Sequence, residues 1–214
     1  SADLAQEKGM ISGNNETKYG LGITPNQTYK KEVDELVPHV ERMDWEGLRT
    51  QLKRTGIRNS TLMALMPAET SAQISNSTNG VEPPRAFVSV KQSKHGVLRQ
   101  VVPGFARLKN KYDLLWQQRS PEGYIKIMAV LQKYIDQGIS VNTSYNPEYF
   151  EDEKIPMSVL LQHLLMFYKY GGKQLYYFNT YDGQGEIEFK DDQKSREDFE
   201  TDQQYDDYCE SCVI

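Results

Sequence analysis

Two cysteines near the C-terminus are the residues with the clearest chemical potential. Cys209 and Cys212 are separated by two residues and are the only cysteines of the chain. Two thiols at this spacing can form a disulfide and exchange it with another dithiol. The nearby carboxylates Asp206, Asp207 and Glu210 should raise the pKa of both thiols. We therefore expect a pair that acts through reach and proximity rather than through an activated thiolate.

Other readings of this pair are half of a metal site, or an incidental pair. A four-ligand zinc site would need further Cys or His ligands, and the histidines are limited to His39, His95 and His163. A small thiol–disulfide oxidoreductase is a third alternative, but its motif normally opens a helix within a βαβ unit rather than ending a tail. Redox exchange is the interpretation that the residues favour.

A second candidate follows an apolar run at residues 61–66. It is the turn formed by Pro67, Ala68, Glu69, Thr70 and Ser71. If a helix starts here, its free N–H groups and dipole favour an anion, and two hydroxyls add donors. Simple N-capping by Thr70 or Ser71 is the more common use of such residues. The turn is not a P-loop, because no glycines precede it and no Lys follows it.

A third candidate is the adjacent pair Tyr176 and Tyr177. Two phenols can relay an electron and a proton if their rings approach each other. The alternative is a pair of core aromatics on a strand, where tyrosine is common. Adjacent side chains of an ideal strand point to opposite faces, so ring contact would require a strand end or a local twist.

The surrounding pattern predicts an α/β fold that would position these residues. Unalternating apolar runs at residues 61–66 and 175–178 indicate strands buried on both faces, the first forming a strand–turn–helix unit. Residues 85–103 have the pattern of a β-hairpin. Helices are expected at residues 1–8, 28–37, 44–55 with Asp44 as the cap, 106–118, 121–138 and 156–170.

Charge divides the chain into two parts. The 214 residues carry a net charge of −5, but residues 183–214 alone carry −8 and almost no aliphatic side chains. We predict one domain at 1–182, mildly basic at +3, and a disordered acidic tail at 183–214. If flexible, the roughly 26 residues before Cys209 span about 25–30 Å.

The charge balance also excludes some classes of function. A global basic field for nucleic acid or an acidic membrane is absent. No apolar run reaches the roughly 18 residues of a membrane span, and no signal peptide is evident. Together with the few cysteines, these features predict a cytoplasmic protein.

The order and spacing of several segments resemble the large (alpha) subunit of class I, aerobic ribonucleoside-diphosphate reductases. The segments are RNSTL (58–62), ALMPAETS (64–71), QISN (73–76), NGVEPPR (79–85) and LYYFNT (175–180), completed by the C-terminal cysteine pair. The resemblance runs over essentially the whole chain. Many bacterial members have four residues between the tail cysteines, where this chain has two.

The resemblance implies the C-terminal portion of a ten-stranded α/β barrel made of two parallel five-stranded halves. The turn at 67–71 would hold the substrate diphosphate. Tyr176 and Tyr177 would be the last tyrosines of a radical path from the small subunit. Cys209 and Cys212 would re-reduce the active-site disulfide and be recharged by thioredoxin or glutaredoxin. The implied reaction converts ribonucleoside diphosphates to deoxyribonucleoside diphosphates.

The resemblance also implies partners. The diiron–tyrosyl radical cofactor would reside on the small subunit, and this chain would bind no metal itself. The radical-forming cysteine, its reducing pair and the allosteric sites would lie outside this chain, which has only its two tail cysteines. We therefore expect an incomplete subunit that needs a separate N-terminal part. The alternative is a non-catalytic module that binds reductase subunits.

Overall fold

The computed structural model describes residues 1–93 and 96–182. Its α-helices are α1 (Ala2–Lys8), α2 (Pro25–Thr28), α3 (Trp45–Thr55), α4 (Glu69–Ile74), α5 (Phe105–Leu108), α6 (Glu122–Gln132) and α7 (Met157–Lys169). Its strands are β1 (Val88–Ser93), β2 (Gly96–Val101), β3 (Val141–Tyr145) and β4 (Leu175–Thr180). Short 3₁₀ helices occupy Asn14–Glu16, Lys31–Glu35, Lys109–Lys111, Leu115–Gln117, Pro147–Tyr149 and Glu151–Glu153.

These elements form two compact units. The first contains Ser1–Met66, Glu122–Thr143 and Pro156–Tyr177. The second contains Pro67–Pro121, Ser144–Ile155 and, within the described residues, 178–182. None of the described helices has the length and apolar character needed to cross a bilayer.

The first unit has two apolar clusters. Helices α6 and α7 contribute to a core made of Ile125, Met128, Ile135, Ile139, Val141 and Phe167. A smaller cluster beside α1 and α3 contains Ala2, Tyr19, Leu52 and Ile57. The predicted cap of α3 is confirmed, because the Asp44 carboxylate accepts the N–H of Gly47 at 2.8 Å. Gly56, at a φ of 69°, ends that helix.

Strands β3 and β4 pair in a two-stranded sheet. Two contacts between them, Asn142 with Tyr177 and Ser144 with Asn179, join residues separated by 35 positions. A constant separation means that the strands run parallel, and α7 is the crossover of a βαβ unit. Just before β3, an isolated parallel bridge joins Ile139 to Leu65 of the extended segment at 61–66. The described residues do not close a barrel.

The second unit contains the predicted hairpin, which is confirmed. Strands β1 and β2 pair antiparallel from Val88 opposite Val101 to Ser93 opposite Gly96. The rings of Phe87 and Phe105 meet edge to face, with 5.4 Å between centroids.

The buried strand predicted at 61–66 is wrong for this chain. Only Leu65 forms a bridge, and Leu62, Met63 and Met66 are exposed. A parallel strand becomes buried when neighbours flank it and helices cover both faces. Among the described residues, only the segment around Ile139 pairs with this run. The strand at 175–178 is confirmed, but its burial is wrong, since its side chains are 39% to 56% exposed.

Three predicted helices have different boundaries, and strand β3 was not predicted. Helix 28–37 is replaced by α2 and a 3₁₀ turn, and helix 106–118 is broken into α5 and two 3₁₀ turns. Helix α6 ends at Gln132, whose side-chain amide donates to the carbonyls of Ile135 and Gln137 and thereby supports a non-helical turn. The helices at 1–8, 44–55 and 156–170 are confirmed within a residue or two.

The Asp136 carboxylate fastens the extended segment to the loop before β3. It accepts the backbone N–H groups of Leu62 at 2.6 Å and Met63 at 2.8 Å, and the Tyr19 hydroxyl at 3.0 Å. Burial raises the pKa of Asp136, but these hydrogen bonds to the charged form outweigh it and lower the pKa overall. The carboxylate therefore satisfies two main-chain donors that no strand among the described residues reaches.

Lys173, just before β4, bonds to main-chain carbonyls as Asp136 bonds to main-chain N–H groups. Its ammonium donates to the carbonyls of Ile135 at 3.0 Å, Asp136 at 2.7 Å and Gln137 at 3.0 Å. Burial, with a smaller contribution from Lys18, lowers the pKa of Lys173. The starts of the extended segment, β3 and β4 are thus joined by two charged side chains.

We expect Asp136→Asn to lower the free energy of unfolding at pH 7 by about 1–3 kcal/mol, because an amide N–H₂ then faces backbone donors. The depressed pKa means that the carboxylate stabilises the fold above its ordinary pKa of 3.8. That stabilisation is lost as the pH falls through the lower folded value. The difference between the wild-type chain and the variant should therefore shrink below about pH 4.

Urea unfolding at pH 7 and pH 3 measures both effects. Asp113→Asn, at an exposed carboxylate, is the control and should change the stability little at either pH. An Asp136→Asn variant as stable as the wild type at pH 7 would contradict the anchoring role.

Candidate functional site

The structure brings Tyr176 and Tyr177 into contact. Their ring centroids are 4.2 Å apart at an interplanar angle of 50°, and both side chains are about half exposed. Regular alternation on β4 would place the rings on opposite faces. The contact therefore requires a local departure from regular strand geometry, and the sequence pattern alone disfavoured it.

The backbone of Tyr177 is held by a side chain of the neighbouring strand. Its N–H donates to the Asn142 side-chain oxygen at 3.0 Å. Asn142 belongs to β3, where Val141, Thr143 and Tyr145 are buried and the alternating residues are only partly buried. Sequence reasoning missed Asn142 because it missed β3, whose polar residues obscure the strand pattern.

Two phenols in contact can exchange an electron and a proton. Each carries one O–H proton and an aromatic ring that can be oxidised, so an electron can pass between the rings while a proton follows. Half exposure leaves both rings available to groups outside this chain.

The turn at 67–71 lies in the second unit, whereas the tyrosine pair lies in the first. Helix α4 begins at Glu69, and its N-cap is Ala68, which has no side chain able to cap. Thr70 and Ser71 lie within α4 rather than at its N-cap position. The first N–H groups of an α-helix have no intrahelical acceptors, and groups of this kind can bind an anion.

The turn is connected to a downstream loop through one hydrogen bond. The Ala68 N–H donates to the Asn79 side-chain oxygen at 3.0 Å. Asn79 was part of the NGVEPPR segment but was not predicted as a site residue. The Asn-Gly sequence at 79–80 could have indicated a tight turn at this position. The φ of Gly80 is 63°, in the left-handed region that such a turn uses.

Cys209 and Cys212 lie outside the described residues, and so does the predicted tail at 183–214. Within the described ranges, no group of three or more His, Cys, Asp and Glu side chains is arranged to hold a metal ion.

A cavity of about 550 Å³ in the first unit is separate from the tyrosine pair. Its lining includes Tyr29 and Lys133. The Lys133 ammonium donates to the Asp34 carboxylate at 2.6 Å, and the Tyr29 hydroxyl donates to the same group at 2.8 Å. Burial and this hydrogen bond raise the pKa of Tyr29 to about 12. These groups satisfy one another, so we assign them to the scaffold.

Comparisons with known proteins place these features in a family. Residues 1–178 match the family model of the ribonucleotide reductase barrel domain. The chain is 53% identical over 188 residues to the ribonucleoside-diphosphate reductase subunit alpha of Haemophilus influenzae, covering 88% of this chain and 25% of that protein. It is 52% identical over 183 residues to the ribonucleoside-diphosphate reductase 1 subunit alpha of Escherichia coli, covering 86% of this chain and 24% of that protein.

A bacteriophage protein shows the same relationship. The subunit alpha of Enterobacteria phage T4 is 42% identical over 192 residues, covering 89% of this chain and 26% of that protein. The chain therefore spans about a quarter of the length of these relatives. The family model covers far more than half of the chain, and the resemblance drawn from the motifs is confirmed: the chain belongs to the ribonucleotide reductase barrel-domain family.

Proposed function

We propose that this chain supplies three working parts of a ribonucleotide reductase alpha subunit that reduces ribonucleoside diphosphates to deoxyribonucleoside diphosphates. The parts are the substrate diphosphate turn, the tyrosine relay and the tail dithiol. The observation that carries the proposal is the 4.2 Å contact between the rings of Tyr176 and Tyr177. A pair of core aromatics would be buried, whereas these rings are about half exposed.

The relay step balances without any group from this chain beyond the two phenols. A tyrosyl radical on Tyr177, generated by the radical of a small subunit, takes one electron and one proton from the phenol of Tyr176. Tyr177 becomes a neutral phenol again, and Tyr176 carries the radical. Tyr176 then takes an electron and a proton from a cysteine thiol in the remaining part of the alpha subunit, which leaves a thiyl radical there.

The turn at 67–71 would bind the substrate through its diphosphate. The N–H groups at the start of α4 have no side-chain cap and are suited to phosphate oxygens. Pro67 has no N–H of its own, and its fixed φ limits the conformations of the chain entering the turn. The bond from Ala68 to Asn79 would hold the turn in shape when the substrate is absent.

The tail pair would return the reducing equivalents consumed in each turnover. Oxidation of Cys209 and Cys212 to a disulfide releases two electrons and two protons, which reduce one active-site disulfide to two thiols. Thioredoxin or glutaredoxin would then reduce the tail disulfide by thiol exchange.

The exposed apolar residues support a requirement for further polypeptide. Leu62, Met63 and Met66 are exposed beside β3, and the first four residues of β4 are 39% to 56% exposed. Unpaired strand edges with apolar side chains favour pairing with another chain segment. We propose that the remaining part of an alpha subunit covers these residues and supplies the radical-forming cysteine.

Helix α7 offers a second candidate contact. Its exposed apolar side chains share one face, as their spacing of three and four residues requires: Met157, Leu161, Leu164, Leu165 and Tyr168. The family resemblance suggests the small subunit as the partner for this face.

Reconstitution tests the proposal as a whole. The purified chain alone should show no ribonucleoside-diphosphate reduction, because its two cysteines cannot supply both the radical site and its reducing pair. Adding a polypeptide with the rest of the alpha subunit, together with the small subunit and thioredoxin, should restore activity. Appreciable turnover by this chain with only a small subunit would contradict the proposal, as would an assembled complex without activity.

Removing either phenol hydroxyl should interrupt the relay. In the reconstituted complex, Tyr176→Phe and Tyr177→Phe should each abolish turnover, because phenylalanine has no O–H to donate and is far harder to oxidise. Equilibrium binding of a nucleoside diphosphate should be unchanged in both variants. Tyr149→Phe, at a partly exposed tyrosine of the second unit, is the control and should retain activity. Full activity of either relay variant would exclude a radical-transfer role.

Replacing Cys209 and Cys212 by serine should separate chemistry from recycling. The double variant should still make product in a single turnover with a pre-reduced active site, because the relay and substrate turn are intact. Multiple turnover driven by thioredoxin should fall to background. Rapid-quench product analysis measures the first quantity and steady-state assays the second. Undiminished thioredoxin-driven cycling would rule out the dithiol shuttle.

A further inference from the structure

The positive charge of the chain is concentrated in one segment. Residues 85–119 contain eight Lys and Arg side chains and one carboxylate, Asp113, which gives a net charge of +7. The rest of residues 1–182 carries −4, so this segment holds all of the excess positive charge of that range. The segment belongs to the second unit, which also contains the turn at 67–71. Residues 183–214 carry the opposite charge, −8.

The basic segment folds back so that its two ends meet. The Leu115 N–H donates to the Pro84 carbonyl at 2.9 Å. Between these ends, the ring of buried Phe105, at the start of α5, packs on the ring of Phe87, just before β1. These contacts join the hairpin, α5 and the 3₁₀ turns that follow into one body within the second unit.

Five cations of this body define a surface that is accessible to solvent. Arg85, Arg99, Arg107 and Lys111 are exposed and Lys109 is partly exposed, and we call these five residues the basic surface. Arg107, Lys109 and Lys111 lie within about 8 Å along α5 and the 3₁₀ turn after it, because each helical residue rises by roughly 1.5–2 Å. This spacing is below the Debye length of about 10 Å at 0.1 M salt, so the three charges act on an anion together.

Arg119 is also exposed, but it lies beside carboxylates of the same unit. Its guanidinium is 5.7 Å from the centroid of the Tyr149 ring, in the loop 147–153. That loop carries four carboxylates: Glu148, Glu151, Asp152 and Glu153. We therefore leave Arg119 out of the basic surface.

The acidic tail starts beside the basic surface. The Tyr181 ring contacts the Trp116 ring, with 5.4 Å between centroids, and the Arg85 guanidinium is 5.8 Å from the centroid of the same Trp116 ring. The Tyr181 N–H donates to the Tyr145 carbonyl at 3.0 Å, which holds the chain at this point. The described residues end one position later, at Asp182. Residues 183–214 therefore continue from a point next to Arg85.

We propose that the acidic tail, residues 183–214, docks on the basic surface of the second unit. The two charges are complementary, and the covalent connection at Asp182 keeps the tail at a high effective concentration near the surface. The densest acidic run, 197–202, begins 15 residues after Asp182 and can reach as far as roughly 50 Å from it. Each exposed ion pair is weak, so docking requires several pairs and is reversible.

The docking goes beyond the proposed function and does not depend on it. Its consequence for the chain is that a docked tail holds Cys209 and Cys212 at the unit that carries the turn at 67–71. The contact is electrostatic, so raising the salt concentration releases the tail.

Paramagnetic NMR of the full chain tests the docking. Cys209→Ser and Cys212→Ser remove the two cysteines of the chain, and Ser195→Cys then accepts a nitroxide spin label beside the acidic run 197–202. In ¹⁵N-labelled protein at about 0.1 M salt, the label should broaden the amide signals of the basic surface. At about 1 M salt, where the Debye length is about 3 Å, the broadening should disappear.

Variants of either partner should also abolish the broadening. The surface variant combines Arg107→Gln, Lys109→Gln and Lys111→Gln, and the tail variant combines Glu197→Gln, Asp198→Asn, Glu200→Gln and Asp202→Asn. The tail variant leaves residues 1–182 unchanged, so it tests the docking even if the surface variant does not fold. The matched control, Lys8→Gln with Lys53→Gln and Arg54→Gln, removes the same charge from exposed positions of the first unit and should keep the broadening.

Broadening that persists at about 1 M salt, or in either folded variant, would overturn the proposal, because the contact would not then be electrostatic. Broadening seen only when spin-labelled chains are mixed with ¹⁵N-labelled chains that lack the label would overturn it in favour of a second copy of the chain. Absence of broadening at about 0.1 M salt would overturn it as well. Shifts of the surface amides on adding the small subunit or a duplex DNA oligonucleotide would then identify a separate anionic partner.

Discussion

The constraint on which the described structure depends is that extended main chain must have its N–H and C=O groups satisfied, whether or not a full neighbouring strand is present. Around β3, side chains supply some of these partners beside the main-chain bonds. The Asp136 carboxylate accepts two N–H groups of the extended segment, and the Lys173 ammonium donates to three carbonyls before β3. Asn142 accepts the N–H of Tyr177 farther along. In each case a polar side chain bonds to main-chain groups of another segment.

The side chains of Asp136 and Lys173 connect the scaffold around β3 to the strand that carries the tyrosine pair. Asp136 and Lys173 set where the extended segment and β4 begin relative to β3, and the extended segment leads directly to the turn at 67–71. Strand β4 carries Tyr176 and Tyr177 within four residues of Lys173. A side chain that holds the start of a parallel strand restricts where the following residues lie along its neighbour. The start of the strand that carries the tyrosine pair is therefore held by charged groups that take no part in the proposed chemistry.

The sequence predicted much of this organisation and failed in particular places. Capping and periodicity located α3, α7 and the hairpin, because those signals are local: an Asp44 cap, a Gly56 stop and an apolar helical face. They failed for β3, whose polar residues hide its alternation, and for the helix expected at 106–118, which breaks into short turns. Burial at 61–66 and 175–178 was overestimated. An apolar run indicates that a strand can be buried, but burial depends on which segments surround it.

The sequence by itself determined the family, through the order and spacing of short motifs, and it named the turn at 67–71, the tyrosine pair and the cysteine pair as the residues to consider. It also determined the charge division of the chain at about residue 183. Only the tertiary structure decided that the rings of Tyr176 and Tyr177 meet, that Ala68 occupies the N-cap position of α4 without a side-chain cap, and that Asn142 accepts the N–H of Tyr177. The physical reason is distance along the chain. Motifs and caps involve residues within a few positions of each other, whereas Asn142 and Tyr177 are 35 residues apart and meet only when α7 returns the chain alongside β3.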